Sequence, residues 1–187
     1  MARRTSMEQH GARRSMAALG ASVTAAALLV ALPASAQDTE WNRYTLEGLA
    51  GVYVRAEANL GCEGAGVSAE AVRMDAAAVL EAAEVPLLTE REMLASPGLP
   101  ELRVSLECGG GVAGVVAYSV SVRVQQATQM IRDTQITLSE AVTWWTSMVG
   151  VAEAASTGDA LGAALEAGLA EFTEAFAAAN AEEEGSG

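Results

Sequence analysis

Residues 115–132 read VVAYSVSVRVQQATQMIR, and the fold turns on how this stretch is read. Val116, Tyr118, Val120, Val122 and Val124 share one parity, while Ala117, Ser119, Ser121, Arg123 and Gln125 share the other. A period of two with β-branched residues on one side marks a strand with one buried and one wet face. At ~3.3 Å per residue it is long enough to cross a small domain, which makes it the central strand.

The same alternation recurs on both sides of it. Glu101 to Cys108 turns Leu102, Val104, Leu106 and Cys108 inward, and Gly109-Gly110-Gly111 leads into the central strand. Gly51 to Ala58 sets Val52, Val54, Ala56 and Ala58 against Tyr53, Arg55 and Glu57. Beyond the centre, Gln126 to Thr137 is polar and breaks parity, which predicts a bulge or strand end and then a loop around Asp133. Ala141 to Val149 reads as a fourth strand, with Val142, Trp144, Thr146 and Met148 on one face and Trp145 and Val149 on the other.

Two segments carry helical spacing instead. Ser68 is placed to cap Ala69 to Glu84, where Val72, Ala76, Val79, Leu80 and Ala83 make one apolar stripe. Asp159 to Asn180 does the same with Leu161, Leu165, Leu169, Phe172 and Phe176. Gln37 to Tyr44 reads as a polar lead-in, and Gly61 to Gly66, Leu87 to Pro100 and Gly150 to Gly158 read as connections. The order β-α-β-β-β-α predicts an α+β fold: a two-layer sandwich whose four-stranded, mostly antiparallel sheet carries two helices on one face. The first helix is a crossover, so its flanking strands run parallel. Their C-terminal ends then meet at one edge, where Cys62 and Cys108 would lie together.

Residues 1–36 are set apart from this domain. Arg3, Arg4, Arg13 and Arg14 precede an uncharged run from Met16 to Leu32, and Ala34-Ser35-Ala36 supplies a signal-peptidase site. The expectation is a cleaved signal peptide, export by the Sec or twin-arginine route, and a periplasmic or secreted bacterial protein with no integral membrane segment after cleavage. The mature chain is read as a single domain over residues 37–180, followed by a disordered acidic tail over 181–187. It holds seven arginines against 23 acids, a net charge of −16. Such a surface repels nucleic acid. Two cysteines in an exported chain favour a structural disulfide, Cys62–Cys108.

The mature chain has no lysine and no histidine. That excludes His-assisted nucleophiles, Schiff bases and His-ligated metals. Carboxylates remain at Glu47, Glu57, Glu63, Glu101, Glu107 and Asp133, and those on strands fall on the wet parity. The glycine runs lack the strand–loop–helix setting and lysine of a phosphate loop. The sequence therefore predicts no catalytic residue, no metal and no cofactor. What stands out is the sheet face away from the helices, where Tyr53, Arg123 and Trp145 form a candidate partner surface. The polar run Gln125 to Gln129 is a second candidate, as a strand edge open to another chain.

The segments GVYVRAEA, ELRVSLEC, YSVSVRVQQATQMIRD, AVTWW and FTEAFAAAN resemble the layout of uncharacterised exported bacterial α+β proteins. More distantly, the plan is similar to the lipopolysaccharide-assembly lipoprotein of an outer-membrane translocon, although no lipidated cysteine is present and no functional residue matches. The resemblance implies the fold. The expectation for function is a non-enzymatic binding or adaptor domain whose partner is an envelope protein or a second copy. The alternative is a small-molecule or lipid carrier, with a pocket between helices and sheet lined by Trp144, Leu165 and Phe172.

Overall fold

A computed structural model describes residues 40–110 and 114–181. The proposed signal peptide (1–36) and all but Ala181 of the proposed tail lie outside the described residues. The sheet is four-stranded and mixed, in the order β1 (Tyr53–Ala58), β2 (Glu101–Gly110), β3 (Val115–Met130), β4 (Asp133–Glu153). β1 and β2 are parallel, and the other two pairings are antiparallel. Among the described residues five α-helices accompany the sheet: α1 (Glu40–Arg43), α2 (Leu60–Gly64), α3 (Ala69–Ala82), α4 (Glu90–Ala95) and α5 (Thr157–Asn180). The α+β class holds, with three short helices more than the two expected.

Alternation sorts the sheet as the residues require. Val54, Leu102, Val104, Leu106, Val120, Val122, Val124 and Trp144 are buried in one core with Val72, Ala76 and Leu80 of α3 and Leu161, Leu165, Leu169 and Phe172 of α5. Gly168 lets α5 approach closely: a Cβ there would lie 2.7 Å from Met148 Cε and 3.0 Å from Val122 Cγ2. Trp144 meets Phe172 edge to face at 5.4 Å, an arrangement that aromatic quadrupoles favour.

The crossover is stapled at its start. Cys62 in α2 is bonded to Cys108 in β2. Beside the bridge, Asn59 Oδ1 accepts from the N–H groups of Cys62 and Cys108, and its Nδ2 donates to the Cys108 carbonyl. Asn59 thus caps α2 and fastens it to β2 at once. A side chain at Gly61 would overlap the Cys108 carbonyl, so the approach needs glycine.

Three expectations are corrected. The connector 87–100 contains α4, started by a capping box in which Thr89 and Glu92 satisfy each other's backbone N–H; the hydrogen bonds from Thr89 hold the Glu92 carboxyl below its usual range. From Glu40 on the lead-in is helical, and just past it Leu46 enters the core. Gln126 to Met130 holds the expected irregularities, register shifts at Gln126/Thr128 and Gln129/Met130, but the loop around Asp133 is only a turn: β3 runs on to Met130, turns at Ile131–Arg132, and β4 starts at Asp133. Past Gln125, which faces the first residue of β2, the hairpin continues for five more residues of β3, about 17 Å of two-stranded arm. All residues from Ile131 to Glu140 are exposed. With no core on either side, nothing selects for alternation there, which is why the pattern vanishes.

Candidate partner-binding face

The pairing register builds the face opposite α3 and α5 from odd-numbered residues of β1, β2 and β3. Arg55 faces Arg103, Arg103 faces Arg123, and Arg123 faces Trp145, so one row of three arginines and a tryptophan crosses all four strands. The neighbouring rows are Tyr53, Glu101, Gln125, Val142 and Glu57, Ser105, Ser121, Ser147. Three of the seven arginines that follow residue 36 thus stand side by side.

Cationic neighbours across strands repel, and one carboxylate offsets this. Glu101 is only 8% exposed. Its Oε2 accepts from Arg55 Nε at 2.9 Å and its Oε1 from Arg103 Nε at 2.7 Å. The bond to Glu101 raises the Arg55 pKa above its ordinary value, and the Arg55 guanidinium lies 5.7 Å over the Tyr53 ring. Glu57 and Glu140 stand at the rim, each 3.9 Å from Arg103. Glu101 is therefore no solvated charge. Parity placed it on the right face, but two arginines from adjacent strands close over it.

Arg123 is treated differently. Its Nη2 donates to Ser105 Oγ at 2.7 Å. Among the described residues no carboxylate pairs with it, and its buried Nε has no partner. The adjacent Gln125 Oε1 is likewise buried without a donor. Arg123 and Trp145, with Ser121, Ser147 and Val142, line a shallow open depression of about 480 Å³.

Val142 reaches this face because of a bulge. Val124 faces Trp144, yet Gln125 faces Val142, so Thr143 is the extra residue and parity inverts on its far side. The expected grouping of Val142 with Trp144 is corrected accordingly. Of the three residues singled out from sequence, Arg123 and Trp145 are neighbours. Tyr53 shares their face on β1, two strands from Arg123, roughly 10 Å at normal strand spacing, and three from Trp145. The signal that the sequence reading missed is the arginine row, which exists only once the register is known.

The other candidates fare less well as sites. Gln125 to Gln129 is no free edge: β4 pairs along it, Gln125 also faces Glu101, and Ala127 N–H donates to the Gly98 carbonyl. Trp144 and Phe172 are fully buried against each other. Leu165 lines a cleft of about 190 Å³ between α3 and α5, below the ~300 Å³ at which small-molecule sites begin. Among the described residues no cluster of His, Cys, Asp or Glu could hold a metal, and no helix is long and apolar enough to cross a membrane.

Fold and face together define an α+β domain with a disulfide-stapled crossover and a sheet face opposite α3 and α5. Comparison with protein-family models, curated proteins and solved structures finds no match.

Proposed function

We propose that this chain is a non-enzymatic binding domain of the bacterial envelope, exported to the periplasm or beyond, and that its open sheet face holds an acidic segment of another envelope protein. The observation that carries this reading is Arg123. It is a partly buried cation with no carboxylate of its own among the described residues, next to a half-buried tryptophan. A buried charge without a counter-ion is costly, and an incoming carboxylate removes that cost. The rest of the row supports the choice of partner, since Arg55 and Arg103 share one buried carboxylate and Arg123 has none among the described residues. Tryptophan and arginine are also the residue types that most often dominate binding energy. The disulfide supports the exported compartment.

The test is in-cell cross-linking of the tagged protein, then affinity measurement with the purified captured species. Trp145→Ala and Arg123→Gln should each weaken binding about thirtyfold, the ~2 kcal/mol of a hot spot, while leaving the melting temperature nearly unchanged. Added salt should weaken the wild-type complex. Binding that survives both substitutions overturns the proposal.

A further inference from the structure

The two edges of the sheet are protected very differently. β1 is six residues long, displays Arg55 and Glu57, and is covered at its start, where Val52 bridges Leu87 and its N–H donates to the Pro86 carbonyl. β4 is 21 residues long. From Trp144 to Ala152 no hydrogen bond among the described residues, other than those of the β3 pairing, uses its backbone. Across the 12 residues Ala141 to Ala152 there is no charge and no proline. Val149 and Val151, on its open-face side, are 76% and 70% exposed. Charges, prolines and covers are the ordinary defences of a sheet edge, and this edge has only the bulge at Thr143. At that bulge Thr45 Oγ1 donates to the Thr143 carbonyl.

We infer that the β4 edge pairs with the β4 edge of a second copy, antiparallel about a two-fold axis at Met148. Charge argues for a second copy. Residues 37–187 carry a net −16, so copies repel over most of their surface, whereas Ala141 to Ala152 brings no charge to the contact. Closure argues for it too: an isologous contact satisfies both unguarded edges at once. The resulting eight-stranded sheet ends on its two β1 strands, the guarded ones. The register is favourable as well. A two-fold at Met148 sets Trp145 opposite Val151 of the second copy, an aromatic–β-branched pair of the kind that stabilises sheets. It also sets Thr146 opposite Gly150 of the second copy, bulk against none.

This inference does not rest on the binding face, and the two fail separately. Light scattering across micromolar to submillimolar concentrations should find a dimer. Hydrogen exchange should show the amides of 145–151 gaining protection as concentration rises. Val149→Glu with Val151→Glu, both at exposed positions, should raise the dimer dissociation constant by about tenfold or more, whereas Arg123→Gln should leave it unchanged. A monomer at every concentration overturns the inference, including one that instead takes up an extended peptide along β4. So does a dimer that survives the double substitution with edge amides indifferent to concentration.

Discussion

Glu101 decides whether the open face can exist. Arg55 and Arg103 are directly opposite one another, and the carboxylate bonds both through separate oxygens. Removing it leaves two facing cations, one of them only 18% exposed. Glu101→Ala should therefore cost about 2–4 kcal/mol in urea unfolding, toward the lower end because the Arg55 side chain keeps access to water. A loss under 1 kcal/mol would show the bridge to be dispensable. The sequence carried the parity of this residue but not its burial. Burial came from side chains two residues along the same strand and 46 residues back in the chain, and no local pattern encodes that. The same holds for Arg123, legible as a cation on the open face but not as one lacking a carboxylate.

At the scale of elements, alternation was a reliable guide wherever a strand had a core to face. Val120, Val122 and Val124, and Leu102, Val104 and Leu106, are buried as their parity requires. It failed in the arm of β3 and β4, which is strand with no buried residue from Gln126 to Glu140. It failed again at Thr143, where one inserted residue carried Val142 to the other side. α4 had a legible signal in the spacing of Thr89 and Glu92, overlooked among the turn residues around it. The cysteine pairing was accessible because parallel strands bring like ends together, and Cys62 and Cys108 are bonded as that argument required. The bridge closes a separation of 46 residues, worth about 4 kcal/mol in the chain-entropy model. Replacing both cysteines with serine should lower stability by close to that amount, read as the unfolding free energy extrapolated to zero urea, with m rising as the unfolded chain expands. A negligible shift would mean that Asn59 and the packing of α2 hold this corner without it.

For the molecule as a whole, the topology combines two pairings of opposite character. β3 and β4 are joined by a two-residue turn, so their contacts are local in the chain. β1 and β2 meet only after the chain has passed through α2, α3 and α4. Loop closure has to precede any gain from such a distant pairing, and local contacts form faster than remote ones. The parallel junction thus sets the tempo of self-assembly. β2, β3 and β4 should acquire protected amides first, and β1 should dock last onto a meander already in place. Pulse-labelled hydrogen exchange during refolding of the reduced protein checks this, and protection of Tyr53–Ala58 in step with β3 would refute it. A chain that emerges N-terminus first holds its opening strand in waiting until its final third has arrived.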